Sequence, residues 1–335
     1  MSVALLLSGR KSSPRHAEPP TLLTKQVDLS VLDESSESSN HARHPNPVGY
    51  PYSIGVGDFD FIWPRMKRVP FLSLAVAGAA ALAAPAPGIT ADDAVPHQVI
   101  ELRQYKIVPG KRDTMIALFE REFVESQEKL GMRLVGQFRD RDDPSRFTWI
   151  RAFPSMEARG KALNDFYFGP VWQAHRGEAN PLLDDNDDVL LLRPAWPGSG
   201  FEPPNGQRSP PGAPDKPAEL VVATIEYLWK QPDEGYAAYF RDTLAPTYRA
   251  AGLPVLAAYS PETEPNNFPR LYVRQSERLL VWFTRVANPA AYQAAQRKLR
   301  ATAVWRGSLQ PALANYRERA PQVLMLSPTP RSLLR

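Results

Sequence analysis

A carboxylate, a guanidinium and a phenol alternate along one short stretch, Glu101-Leu102-Arg103-Gln104-Tyr105. In an extended strand, side chains at i, i+2 and i+4 share a face, so Glu101, Arg103 and Tyr105 are expected side by side. If that face lines a partly dry barrel interior, Arg103 could hold an anionic or enolate oxygen while Glu101 or Tyr105 moves a proton. The trio equally suits a buried Glu–Arg pair with a tyrosine fixing an interface, because buried ion pairs are often structural. These three are the candidate catalytic residues.

Two further residues are candidate ligand contacts. Trp149 belongs to an aromatic set with Phe147, Phe166, Tyr167, Phe168 and Trp172 that could line an apolar pocket or fill the space between helices and sheet. His175 is the only histidine after residue 97. It could act as a base or a haem ligand, or cap and decorate a short amphipathic helix. Asp184, Asp185, Asp187 and Asp188 could offer oxygens to calcium, but the spacing is not that of an EF-hand loop. They read as a solvated turn, as do Asp140, Asp142 and Asp143, so no metal site is expected. The chain has no cysteine, which excludes disulfides, thiolate metal sites and a cysteine nucleophile. It also lacks a phosphate loop, a Rossmann glycine set, a nucleophile elbow and a zinc signature.

The elements that must position these residues occur twice. Residues 99–195 and 221–328 follow one order: strand, long helix, strand, strand, helices, strand. Val99 to Tyr105 opens the first copy and Leu220 to Trp229 the second. Gly131-Met-Arg-Leu-Val-Gly-Gln-Phe138 corresponds to Gly252-Leu-Pro-Val-Leu-Ala-Ala-Tyr259, Val171-Trp172 to Val304-Trp305, and Val189 to Pro194 to Val323 to Pro328. Internal repetition constrains architecture strongly. In the first copy, Pro109-Gly110 ends the opening strand. Met115, Phe119, Phe123 and Leu130 recur near helical spacing over 111–130, and Gly131 is a natural stop. Strands over 134–138 and 147–153 form a hairpin, Ser155 caps the next helix, and Val189–Arg193 is the last strand. The order βαββαβ is that of the ferredoxin-like split unit. The expected fold class is therefore α+β: two tandem ferredoxin-like units, 98–195 and 219–328, packed sheet to sheet as a dimeric α/β-barrel. A Pro/Gly-rich linker over 196–218 joins them.

The first copy resembles the NIPSNAP domain. The resemblance is carried by Ile100-Glu-Leu-Arg-Gln-Tyr-Lys-Ile-Val-Pro-Gly110, the hairpin with Trp149, Ala152-Phe-Pro-Ser-Met-Glu-Ala-Arg159, Phe166-Tyr-Phe168 with Pro170-Val-Trp172, and Val189 to Pro194. The second copy is a more distant likeness that keeps Tyr227, Gly252, Trp282 and Trp305. The resemblance implies the dimeric α/β-barrel superfamily, which holds cofactor-free monooxygenases and tandem haem enzymes. The haem relatives place their axial histidine in the second unit, and the second copy here has none, so no cofactor is expected. The family name implies a fold rather than a mechanism. Aligning Tyr105 with Tyr227 puts Ala223 at the place of Glu101 and Ile225 at that of Arg103, which would confine this trio's chemistry to the first copy. A shift placing Glu226 on Glu101 would keep the carboxylate but lose the arginine and the tyrosine.

Residues 1–65 are polar and of low complexity, a composition that leaves a chain disordered. Met66-Lys-Arg68 and the Ala-rich run Val69 to Ala84 have the layout of a secretory signal over 66–91. Met66 is therefore expected to be the true start, and the product is expected in the periplasm or secreted. The apolar run is Pro-interrupted and poor in Leu, so a stable membrane span is not expected. Residues 270–335 hold twelve Lys and Arg against two Asp and Glu. No nucleic-acid motif accompanies them, and the basic segment is expected to face the acidic first copy. The function expected is a small-molecule-binding barrel for an apolar or anionic ligand, able to self-associate. The alternatives are a cofactor-independent monooxygenase-like enzyme and a non-enzymatic assembly protein with a packed interior.

Overall fold

The structure, a computed structural model, describes residues 98–202, 207–215 and 219–335. The segment 1–65 and the signal at 66–91 lie outside the described residues. The alternating stretch around Glu101 forms β1 (Val99–Ile107). The expected long helix is interrupted: α1 (Arg112–Leu118) and α2 (Val124–Glu128) are joined by a π-helical turn, Phe119–Phe123. Gly131, at φ +84°, reverses the chain after α2, a conformation that costs glycine little. The hairpin is β2 (Arg133–Asp140) and β3 (Arg146–Phe153). Ser155 accepts from Ala158 N and so caps α3 (Met156–Tyr167), which α4 (Pro170–Ala179) follows. The acidic turn carries a short strand, β4 (Leu183–Asp185), before β5 (Val189–Pro194).

The second half runs β6 (Leu220–Tyr227), α5 (Tyr236–Tyr239), a π-turn at Phe240–Leu244, α6 (Ala245–Ala251), β7 (Val255–Pro261) and β8 (Leu279–Val286). It ends with α7 (Pro289–Ala301), a π-turn at Trp305–Leu309, α8 (Gln310–Tyr316) and β9 (Gln322–Pro328). The strand order is β3-β2-β9-β6-β8-β7-β5-β1, and β1 also pairs with β3, so the sheet closes into a barrel. Every ladder between these strands is antiparallel.

Among the described residues three apolar cores result. Inside the barrel pack Leu102, Phe138, Ile150, Tyr259, Phe283 and Leu326 with their neighbours. Outside it, helices of the first half cover Tyr105, Phe147, Trp149 and Phe153. Helices of the second half cover Val222, Leu280, Trp282 and Val286. Segments that read as connector and tail are also bonded in. Arg208 donates to Glu128 Oε1 at 2.6 Å and to the Leu134 carbonyl at 2.8 Å. Beyond β9, Thr329, Arg331 and Ser332 are buried, with Arg331 gripping the Glu125 carboxylate.

The β2 bulge between Leu134 and Gly136 brings Gly136 against the fully buried Phe138 ring, where an added Cβ would overlap it. Gly136→Ala is expected to cost about 1–3 kcal/mol by overpacking. A lowered thermal midpoint checks this, and an unchanged one would mean that the ring swings aside freely.

Candidate functional site

The face of β1 bearing Glu101, Arg103 and Tyr105 does not look into the barrel. Ile100 and Leu102 do, while Tyr105 joins the core between sheet and helices. The condition for lining the barrel interior is therefore not met, because helices cover this face instead. There the trio meets groups the sequence did not nominate. Register pairs Glu101 with Arg151 and Arg103 with Trp149 on β3, and Arg159 reaches in from α3. All four charged side chains are fully buried.

Glu101 sits at the centre. Its Oε2 accepts from Arg103 Nη1 at 2.7 Å and from Arg151 Nε at 2.8 Å. Its Oε1 accepts from Arg159 Nε at 2.7 Å. Arg151 Nη2 and Arg159 Nη2 lie 2.8 and 2.7 Å from the same oxygens, but off the hydrogen-bond direction. Outer partners hold the arginines. Gln127 accepts from Arg151 at 2.9 Å, and Asn266 and Asn267 accept from Arg159 at 3.1 and 2.7 Å. The two asparagines belong to the β7–β8 loop, so the second half closes the first half's site. Phe268 of that loop stacks on Tyr167 with ring centroids 5.6 Å apart.

Burial alone would raise the Glu101 pKa, but the charges of Arg151, Arg159 and Arg103 outweigh it and hold the carboxyl well below its ordinary range. Glu101 therefore stays ionised and is a poor proton carrier. Burial lifts the Tyr105 phenol to about 12 against the pull of Arg103, so it remains a neutral donor. Its oxygen accepts from Arg103 Nε at 2.9 Å. One carboxylate against three guanidiniums leaves two positive charges in surplus. Trp149 lies under two of them, its ring centroid 5.4 Å from the Arg103 guanidinium and 5.1 Å from that of Arg151. Arg103 Nη2 and Trp149 Nε1 are buried without a hydrogen-bond partner.

His175 lies elsewhere. Its Nε2 is 3.3 Å from Glu122, its Nδ1 is 3.2 Å from Glu178, and its ring packs edge-on to Phe123. None of these is a member of the Glu101 cluster. The acidic turn is tied up in ion pairs, Asp184 with Lys106 at 2.8 Å and Asp188 with Arg274 at 2.9 Å. Among the described residues no group of three or more His, Cys, Asp or Glu could hold a metal ion, and no helix is long and apolar enough to cross a membrane.

The alignment through Tyr105 and Tyr227 is also corrected. Tyr227 belongs to the barrel interior, whereas Tyr105 faces the helices. A one-residue slip exchanges the faces of a strand. Thr224 pairs with Trp282 as Arg103 pairs with Trp149, so Val222, Thr224 and Glu226 share one face of β6 as Glu101, Arg103 and Tyr105 share one face of β1.

The molecule is thus an α+β protein with a closed antiparallel barrel and a buried, arginine-rich cluster on its helix side. Residues 100–196 match the NIPSNAP family model. No curated protein matches the chain. Among solved structures it is similar to a NIPSNAP family protein from Agrobacterium tumefaciens C58 (23% identity, 29% of this chain and 86% of that one, TM-score 0.28). It is also similar to a candidate monooxygenase from Lactobacillus acidophilus NCFM (10% identity, 69% and 94%, TM-score 0.44). A third similar structure is an anthrone oxidase-like protein (10% identity, 70% and 92%, TM-score 0.45).

Proposed function

We propose that this chain is a small-molecule-binding protein built from two tandem ferredoxin-like units, and that the first unit takes a small organic anion beside Arg103. The tandem reading is supported by strand order: β5-β1-β3-β2 in one half and β9-β6-β8-β7 in the other both run fourth, first, third, second, with β4 left out. The observation that carries the ligand class is the surplus of two buried positive charges together with unpartnered donors at Arg103 Nη2 and Trp149 Nε1. A buried charge without a counter-charge is costly, and an anion at this point would remove that cost. The Tyr105 hydroxyl, neutral at ordinary pH, could add a hydrogen bond to a carboxylate, phenolate or enolate oxygen. Oxyanion stabilisation of this kind is also what a cofactor-independent oxygenase needs. The cluster, however, supplies no free base, because Glu101 is neutralised by three arginines, so binding is the better-supported reading. Export of a mature form beginning near residue 92 belongs to the same proposal.

Native mass spectrometry of protein purified from its source without denaturation tests ligand and start together. A retained anion on a chain beginning near residue 92 is expected. Isothermal titration with benzoate then tests the site: Arg103→Gln should weaken binding at least tenfold while Glu101 keeps two arginine partners. Benzoate bound equally by wild type and Arg103→Gln, or a wild type that neither retains nor binds an anion, would overturn the reading.

A further inference from the structure

The second half has a buried polar cluster of its own, with different chemistry. Glu226 on β6 is almost wholly buried and accepts from Arg317 Nε at 2.6 Å and Nη2 at 2.8 Å. Trp282 Nε1 donates to it at 3.3 Å. The Tyr248 ring lies flat on Trp282, with centroids 4.9 Å apart and planes at 15°. The hydroxyls of Tyr236, Thr224 and Thr284 are buried without partners. The π-helical turn at Phe240–Leu244 sets Phe240 against Trp282 at 5.8 Å, just as the one at Phe119–Phe123 sets Phe119 against Trp149 at 4.8 Å. Such turns are frequent at functional sites.

Charge separates the two clusters. Here one carboxylate meets one guanidinium, so nothing is left over to attract an ion. Tyr236 is shared between this cluster and a cleft of about 230 Å³, which Tyr316 and Trp229 also line. Trp229 is 52% exposed, unusual for so large an apolar side chain at a cleft rim. Lys230, Glu234 and Gln231 complete the rim and again balance in charge. Aromatic walls favour a flat ring stacked or set edge-on between them. Amide and charged side chains at the rim suit a polar substituent, and the cleft has room for one ring.

We propose that this cleft is a second ligand site, for an uncharged single-ring aromatic compound bearing a polar group. A ligand there would stack between Trp229 and Tyr316 with its apolar edge on Tyr236. The two halves of the barrel would then serve inequivalent ligands, an anion in one and a neutral ring in the other. The inference uses none of the residues assigned to the anion and stands without that reading.

The test is isothermal titration of the full chain with p-cresol, which is neutral at pH 7. Wild type is expected to bind it, Trp229→Ala to bind at least tenfold more weakly, and Arg103→Gln to bind as wild type does. Trp229 is exposed, so its removal leaves the fold intact; Tyr316→Phe, which keeps the stacking ring, should retain binding. Absence of p-cresol binding by wild type, equal binding by Trp229→Ala, or loss in Arg103→Gln would each overturn the proposal. Loss of benzoate binding alone would count only against the anion site.

Discussion

Glu101→Gln is expected to destabilise the protein by about 3–5 kcal/mol at neutral pH, the scale of breaking a buried ion cluster by removing one partner. The amide keeps the shape but leaves three fully buried guanidiniums with no counter-charge. Water screens them poorly, because all four side chains are buried. The effect should depend on pH with a definite sign. The folded pKa of Glu101 lies well below its ordinary 4.5, so the native state resists protonation and the unfolded state does not. Its contribution is therefore complete above about pH 4.5 and is lost progressively as pH falls toward the depressed folded value. Urea unfolding at a series of pH values checks this. The gap between wild type and Glu101→Gln should be widest at neutral pH and close on acidification. A gap that stayed constant with pH would mean that the ionised carboxylate is not what holds the arginines.

The same cluster shows what a sequence can and cannot reveal here. Alternation put Glu101, Arg103 and Tyr105 on one face, and they are on one face. It could not say which face, because both sides of β1 are buried, one under helices and one inside the barrel. Polarity distinguishes core from solvent but not one core from another. Arg151 and Arg159 were legible in principle. Arg151 alternates with Phe147, Trp149 and Phe153, and Arg159 falls on the α3 stripe of Met156, Leu163 and Phe166, all of them buried. An arginine on an apolar stripe is a buried-charge signal, and reading it would have supplied the surplus charge. Asn266, Asn267 and the tail at Thr329 to Ser332 carry no period, and their roles depend on contacts across more than a hundred residues. Gly131 and Gly252, expected to correspond, both adopt positive φ after a helix and before a strand. In β6 the sequence could not show that Tyr227 takes the barrel side while Tyr105 takes the helix side; pairing with β8 decides it.

Phe283→Ala is expected to cost about 3–5 kcal/mol, the range for deleting a fully buried phenylalanine. Phe283 lies inside the barrel, with Phe201 at 4.8 Å and Tyr259 edge-on at 6.1 Å. The surrounding side chains are held by ladders on both flanks of β8, so the void left by the ring cannot collapse fully, and residual cavity volume adds to the lost burial. The result bears directly on where ligands go. A packed interior makes the barrel a scaffold whose sites lie between sheet and helices, where Glu101 and Glu226 are. An interior evolved to hold a ligand would tolerate the truncation, since a chamber already contains space. Chemical denaturation gives the cost, and xenon binding to the variant but not to wild type would show that the cavity is new and dry. A cost below about 1 kcal/mol would return the barrel interior to consideration as the binding chamber and weaken the assignment of both sites to the helix side.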